Sequence, residues 1–184
     1  MPTVRCTGCC ATGSRSGPRS AQTVTVWLID WENPENNDFA LAEEVTVHGH
    51  HTKRPDIVLY VNGIVLGVLE LKPSTVAVSK GIRQQLDSQQ KEFIRPFFTT
   101  VQLVMAGNET EGLSYGVIET LEKYWLRWKD KDAHPPGGDN PLLGELSQLC
   151  RKDRLLEIAH DFMVFAAGIK KVCRHNQYFG VRAP

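Results

Sequence analysis

The sequence predicts an α/β fold: a mixed central sheet flanked by helices, with a helical C-terminal extension. Three observations predict it. Residues 54–72, RPDIVLYVNGIVLGVLELK, hold two strand-forming runs on either side of Asn62-Gly63, the strongest short-range hairpin signal. Residues 76–94 carry Val78, Ile82, Leu86 and Phe93 at steps of four and seven, the period of an amphipathic helix. Residues 101–106 are a further apolar run of strand length.

At 184 residues the chain holds one sizeable domain and an appendage. It has 21 basic and 21 acidic residues, so the formal net charge is zero. That excludes a global basic signature for nucleic acid. Any such contact needs a local patch, such as Lys53, Arg54, Lys72, Lys80 and Arg83. Ordinary solvated charge is the simpler reading of those five residues taken alone.

Residues 1–22 are rich in Gly, Ser, Thr, Arg and Cys and are predicted to be a disordered leader. They contain no apolar stretch long enough for a signal peptide or a membrane span. Cys6, Cys9 and Cys10 give one C-x-x-C without a second pair, a weak zinc signature. With the isolated Cys150 and Cys173 they fit a reducing compartment. A cytoplasmic protein without a membrane partner is therefore expected.

Residues 23–128 are predicted to form the main domain. Residues 23–29 alternate as a strand does, and 30–38 form a loop with Asn-Pro and Asn-Asn. His48, His50 and His51 follow Glu43 and Glu44. They read as an exposed connection, because ligand spacing on a helix or strand is missing.

The two hairpin strands are apolar at nearly every position, so both faces should be buried. Charge appears only at their ends, as Asp56, Glu70 and Lys72. Buried strands exclude carboxylates unless these are paired or bind a metal. Glu70 and Lys72 are two apart and share a face, while Leu71 points the other way, into the core. A two-residue turn sets Asp56 against Leu69, on the wrong face. A three-residue loop with a glycine bulge puts Asp56 beside Val68, diagonal to Glu70. Convergence thus requires a bulge or an equivalent distortion. Given it, Asp56, Glu70 and the Leu71 carbonyl offer hard oxygens to Mg²⁺, and Lys72 offers a charge for a scissile phosphate or its attacking water. A turn aspartate beside a solvated Glu–Lys pair is the plainer alternative.

Pro73-Ser74 ends the second strand, and Pro96 should close the helix over 76–94. Gln84 and Gln85 are either solvated or turned toward the sheet. Val117-Ile118 suggests a further strand, and Tyr124, Trp125 and Trp128 read as core or docking aromatics. Residues 129–141, KDKDAHPPGGDNP, are a linker by composition. Residues 142–165 read as one helix, predicted to lack a partner within this chain.

The segment around Arg54-Pro55-Asp56, Val61-Asn62-Gly63 and Glu70-Leu71-Lys72 resembles the PD-(D/E)xK nuclease core of the restriction subunit of type I restriction enzymes. The resemblance runs over roughly residues 24–183, in several blocks in the family's order. It implies a restriction-endonuclease-like fold and Mg²⁺-dependent hydrolysis of double-stranded DNA. It carries Asp56 and Glu70 onto the metal-binding acids and Lys72 onto the catalytic lysine. Gln84 matches the glutamine of a Gln-x-x-x-Tyr helix motif, with Ser88 at the tyrosine position. Specificity and modification subunits are the implied partners.

ATP would enter only through a motor domain. No G-x-x-x-x-G-K-[ST] occurs here, since Ser14 follows the Gly8 and Gly13 spacing in place of lysine. The resemblance makes 142–184 a segment leading toward that motor, with His175 and Gln177 from the block before it. The chain thus reads as a fragment. Two rival readings are a catalytically inactive piece that only binds DNA or partner subunits, and a repair nuclease of the same superfamily.

Overall fold

The computed structural model describes residues 4–6, 24–130 and 140–182. Val4–Cys6 (β1), part of the leader expected to be disordered, pairs antiparallel with Val24–Val26 (β2). Cys9, Cys10 and residues 131–139 of the expected linker lie outside the described residues.

The main sheet has six strands, paired in chain order. They are Phe39–Glu43 (β3), Ile57–Val61 (β4), Ile64–Leu71 (β5), Leu103–Asn108 (β6), Gly112–Gly116 (β7) and Leu126–Arg127 (β8). Only β5 and β6 run parallel, so the sheet is mixed. A parallel neighbour needs a crossover, and Val78–Ser88 (α1) supplies it. The strand expected at Val117-Ile118 lies just before them, because β7 ends at Gly116.

The β4–β5 turn is the two-residue form. Asn62 has φ 50° and Gly63 φ 77°, the pair of positive angles a type I′ turn requires. Val61 pairs with Ile64 and Tyr60 with Val65, but Leu59 pairs with Gly67. Leu66 is thus the extra residue of a bulge. The required distortion is present, but it sits inside β5 rather than at the turn, and its sense is reversed. Continuing the register from Ile57–Leu69 sets Asp56 across from Glu70, not beside Val68. The packing carries the same mark: Val65 and Val68, three apart, touch one apolar cluster.

Alternation along β5 then gives the sheet two faces. Val68 and Val104 pack with Ile94, Phe98 and Val101 on the α1 side, and Ala106 packs with Val78 and Ile82 of α1. Leu69, Leu103 and Met105 point to the opposite side. The helix expected over 76–94 ends at Ser88. Ile94 and Phe98 fold back against Val68 and Val104, which a straight continuation would carry them away from. Pro96 falls inside a 3-10 turn, Arg95–Thr99, beyond the helix it was expected to close.

The C-terminal segment covers the opposite side. The single helix expected there is broken into Pro141–Leu149 (α2) and Lys152–Asp161 (α3), because Arg151 between them is extended (φ −55°, ψ 132°). A hairpin follows, Met163–Ala166 (β9) and Ile169–Val172 (β10), then the helix His175–Arg182 (α4). The extension is therefore helical with a hairpin inserted. It does not lack a partner: Leu142, Leu149, Leu155, Ile158 and Tyr178 share a core with Leu113, Tyr115 and Trp128. Pro141 at the first position of α2 and the Asn140 side chain, which accepts from the Leu142 and Leu143 amides, start that packing unit.

Candidate active site at the end of the central strand

Glu70 is buried at 4% exposure on the α1 side of β5. The Lys72 ammonium, two residues on, donates to Glu70 Oε1 at 2.6 Å and to Gln84 Oε1 of α1 at 2.9 Å. Asp56 enters from the foot of β4, where its Oδ2 accepts from the Leu71 amide at 2.7 Å. The Leu71 side chain packs into the opposite core, while its carbonyl leaves the strand on the same edge as its amide. Asp56, Glu70, Lys72, Gln84 and the Leu71 main chain are thus brought together.

The electrostatics follow from burial. Desolvation pushes the Glu70 carboxyl above its ordinary range, and the Asp56 charge adds to it; the Lys72 hydrogen bond opposes both. Of the two carboxylates, Glu70 holds the ammonium and Asp56 holds the Leu71 amide. Gly81 lets α1 lie close to the sheet beneath Glu70 and Lys72. A Cβ at Gly81 would stand 3.2 Å from Ala106 Cβ, 3.4 Å from Lys72 Cγ and 3.6 Å from Glu70 Cγ. Gly81 escaped the sequence reading, although a glycine inside a helical pattern is a signal of close packing.

The two glutamines divide. Gln84 reaches Lys72, whereas Gln85 is buried and donates to the Met105 carbonyl at 3.3 Å. Ser88 turns its hydroxyl back onto the Gln84 carbonyl at 2.9 Å. A narrow cleft opens between Glu70, Gln84, Gln85 and Ser88 on one side and Lys53-Arg54-Pro55 on the other.

Of the five basic residues named as a local patch, Lys53 and Arg54 border this cleft and Lys72 stands beside Glu70. Lys53 lies over the Phe93 ring at 4.1 Å, and Arg54 faces Glu44 at 3.5 Å. Arg83 is held by Glu122 through two bonds of 2.8 and 3.0 Å. His48, His50 and His51 are exposed. Among the described residues, no three His, Cys, Asp or Glu side chains gather as a metal set. Burial pushes the Cys150 thiol up to about 12 and the Cys173 thiol up to about 11. His175 opens α4, and Gln177 Oε1 accepts from the Arg174 amide at 2.8 Å, next to that helix's start. Among the described residues no helix is long and apolar enough to cross a membrane.

Comparison with known proteins gives one consistent group. Residues 12–123 match the family described as type I restriction enzyme R protein N terminus. The type I restriction enzyme HindI endonuclease subunit of Haemophilus influenzae is 26% identical over 170 residues, covering 85% of this chain and 16% of that protein. A Methanocaldococcus jannaschii protein, provisionally named the type I restriction enzyme MjaVIIP endonuclease subunit, is 25% identical over 176 residues. That match covers 84% of this chain and 15% of the relative. The chain therefore spans about a sixth of the length of the curated relatives it matches.

Proposed function

The chain belongs to the type I restriction enzyme R protein N-terminus family, and on that premise we propose that it is the endonuclease module of a restriction-modification system. It hydrolyses phosphodiester bonds of double-stranded DNA with Mg²⁺. The observation that carries this reading is the convergence of a buried Glu70, bonded to the Lys72 ammonium that Gln84 also holds, with Asp56, whose carboxylate acts on Glu70 from the Leu71 amide.

The donor set fits a hard divalent cation. Asp56 and Glu70 offer carboxylate oxygens, the Leu71 carbonyl offers a third, and the pair carries more negative charge than Lys72 balances. Bound there, Mg²⁺ would polarise the phosphate and acidify a water. The chain's own residues do the rest. Asp56 ties the end of β4 to the Leu71 amide, fixing the spacing of the acids. Glu70 and Gln84 hold the Lys72 ammonium from two sides. The ammonium stabilises negative charge developing on the phosphoryl oxygens or orients the attacking water. A fixed, partly buried charge is worth more here than in solvent.

Residues 23–128 would carry the nuclease and 142–184 would lead toward the ATP-driven motor of longer relatives. Specificity and modification subunits would supply the recognition site, in the cytoplasm. A plasmid-nicking assay tests the core of this. Wild-type chain should nick supercoiled plasmid with Mg²⁺ and not with EDTA, and Asp56→Ala should not nick at all. Plasmid binding without nicking in both proteins would leave only a binding module.

A further inference from the structure

We propose that Asn108 and Glu111, in and just after the end of β6, are positioning residues that fix Lys72 and Gln84 relative to each other. This rests on the nuclease reading for its chemical consequence, but not for its geometry.

Lys72 stands at the end of β5 and Gln84 on α1, and residues 73–77 between them have no regular structure. No neighbouring side chain caps the start of α1. Its N-cap is Ala77, which has no side-chain acceptor, and its first turn has no acid. Helix starts leave amides that need partners. Glu111 supplies one from the β6–β7 turn: its Oε1 accepts from the Val78 amide at 3.0 Å. A carboxylate there also complements the helix dipole.

Asn108 completes the brace from full burial, at 1% exposure. Its amide nitrogen donates to the Val76 carbonyl at 2.8 Å and lies 3.4 Å from Glu111 Oε1. Its oxygen accepts from the Thr110 and Glu111 amides at 3.0 and 2.6 Å, which locks the turn. Thr110 Oγ1 adds a bond to the Ser74 carbonyl at 3.3 Å. The link is thus tied at positions 74, 76 and 78 to one turn. The Lys72 amide donates to Gly107, the residue before Asn108, at 2.9 Å. Both halves of the lysine–glutamine pair are therefore referred to the end of one strand. The 2.9 Å bond between them is held by a frame that touches neither side chain. A misplacement of about 1 Å at a reacting group can cost on the order of 100-fold in rate.

The test uses the full chain, Mg²⁺ and supercoiled plasmid, with the Gln84 side-chain amide followed by NMR in parallel. Glu111→Ala removes the acceptor; Glu111→Gln keeps an acceptor oxygen. Glu111→Ala should lower kcat about 10- to 100-fold with KM within about twofold, and should shift the Gln84 amide signal. Glu111→Gln should restore most of the rate and the wild-type signal. Asn108→Asp keeps the locking acceptor and loses the donor to Val76. It should act in the same direction, and it decides the matter if Glu111→Ala fails to fold. An unmoved Gln84 signal in a folded Glu111→Ala or Asn108→Asp protein overturns the proposal, as does a loss in KM alone. If wild type does not nick, the nuclease reading fails, while the Gln84 signal still judges the brace.

Discussion

The two faces of the central sheet are made from alternate residues of the same strands, yet they handle charge in opposite ways. On the C-terminal side, Leu69, Met105 and Leu113 meet Trp128, Tyr115 and Tyr178. The buried cation near that side, Arg154, lies 3.3 Å from Asp130 and over the rings of Trp128, Tyr178 and Phe179 at 5.2 to 5.5 Å. There a charge has a carboxylate and three aromatic faces. On the α1 side, Glu70 leans on one lysine with the Asp56 charge nearby, and burial raises the affinity of Glu70 for a proton. The lesson is that burial alone does not mark a site. The uneven pairing beside a raised carboxyl is what supports the α1 side as the proposed site.

The largest effect that sharpens this contrast is on the apolar side. Trp128→Ala should cost about 3–5 kcal/mol of unfolding free energy, measured by urea titration. It should leave the nicking rate of the folded fraction unchanged. On the α1 side the reverse is expected. Lys72→Ala should lower nicking at least about 100-fold, near 3 kcal/mol of activation energy, with plasmid binding within about twofold. Equal loss of binding and cleavage would break the comparison by making Lys72 a mere phosphate contact.

A pair of glycines gives a smaller effect. Gly81→Ala places a methyl 3.2 Å from Ala106 and 3.4 Å from the Lys72 stem. The crowding, about 1–3 kcal/mol, is offset by the helix preference for alanine, about 1 kcal/mol. Stability should move by less than about 2 kcal/mol, while nicking falls about tenfold as Lys72 shifts. Gly180 in α4 has open space around it. Gly180→Ala should gain about 0.5–1 kcal/mol in thermal melts and leave nicking untouched.

An effect of similar size, but dependent on pH, belongs to the opposite end of β6. Lys170 donates to Gln102 Oε1 at 2.5 Å, and burial lowers its pKa to about 8. The unfolded chain keeps that proton to a higher pH. Below pH 8 the fold must therefore carry a partly desolvated ammonium, a cost relieved as pH climbs from about 8 toward the unfolded value near 10.4. Lys170→Met should be the more stable protein at pH 7 by about 1 kcal/mol. The gap in melting temperature should close by pH 10.

How much of this was legible in the chain differs by the range of the interaction. Asn62-Gly63 between apolar runs announces the hairpin, and parity along the two strands announces that something must offset Asp56. Which residue bulges was not legible, because Leu66 packs with Ile29 and Leu156 from distant segments. The start of α1 follows from its period, whereas its end follows from where Ile94 and Phe98 find their cluster. The β9–β10 hairpin was missed because its turn is Ala167-Gly168, with φ of 51° and 78°, and alanine rarely signals such a conformation. Asp56, Glu70, Lys72 and Gln84 could be nominated from spacing and resemblance. Asn108 and Glu111 could not, since their partners lie more than 30 residues upstream and leave no local pattern.

Leu66 does for the ladder what one inserted letter does for a reading frame. Every position of β4 outward of it is read against the opposite parity of β5, so the message at Asp56 changes although no chemical group there has been touched. Were that one hydrocarbon residue drawn into the ladder, Asp56 would face Leu69 instead of Glu70 and turn to the far side of the sheet. In a fold of this build an acid can thus be displaced by arithmetic as completely as by chemistry.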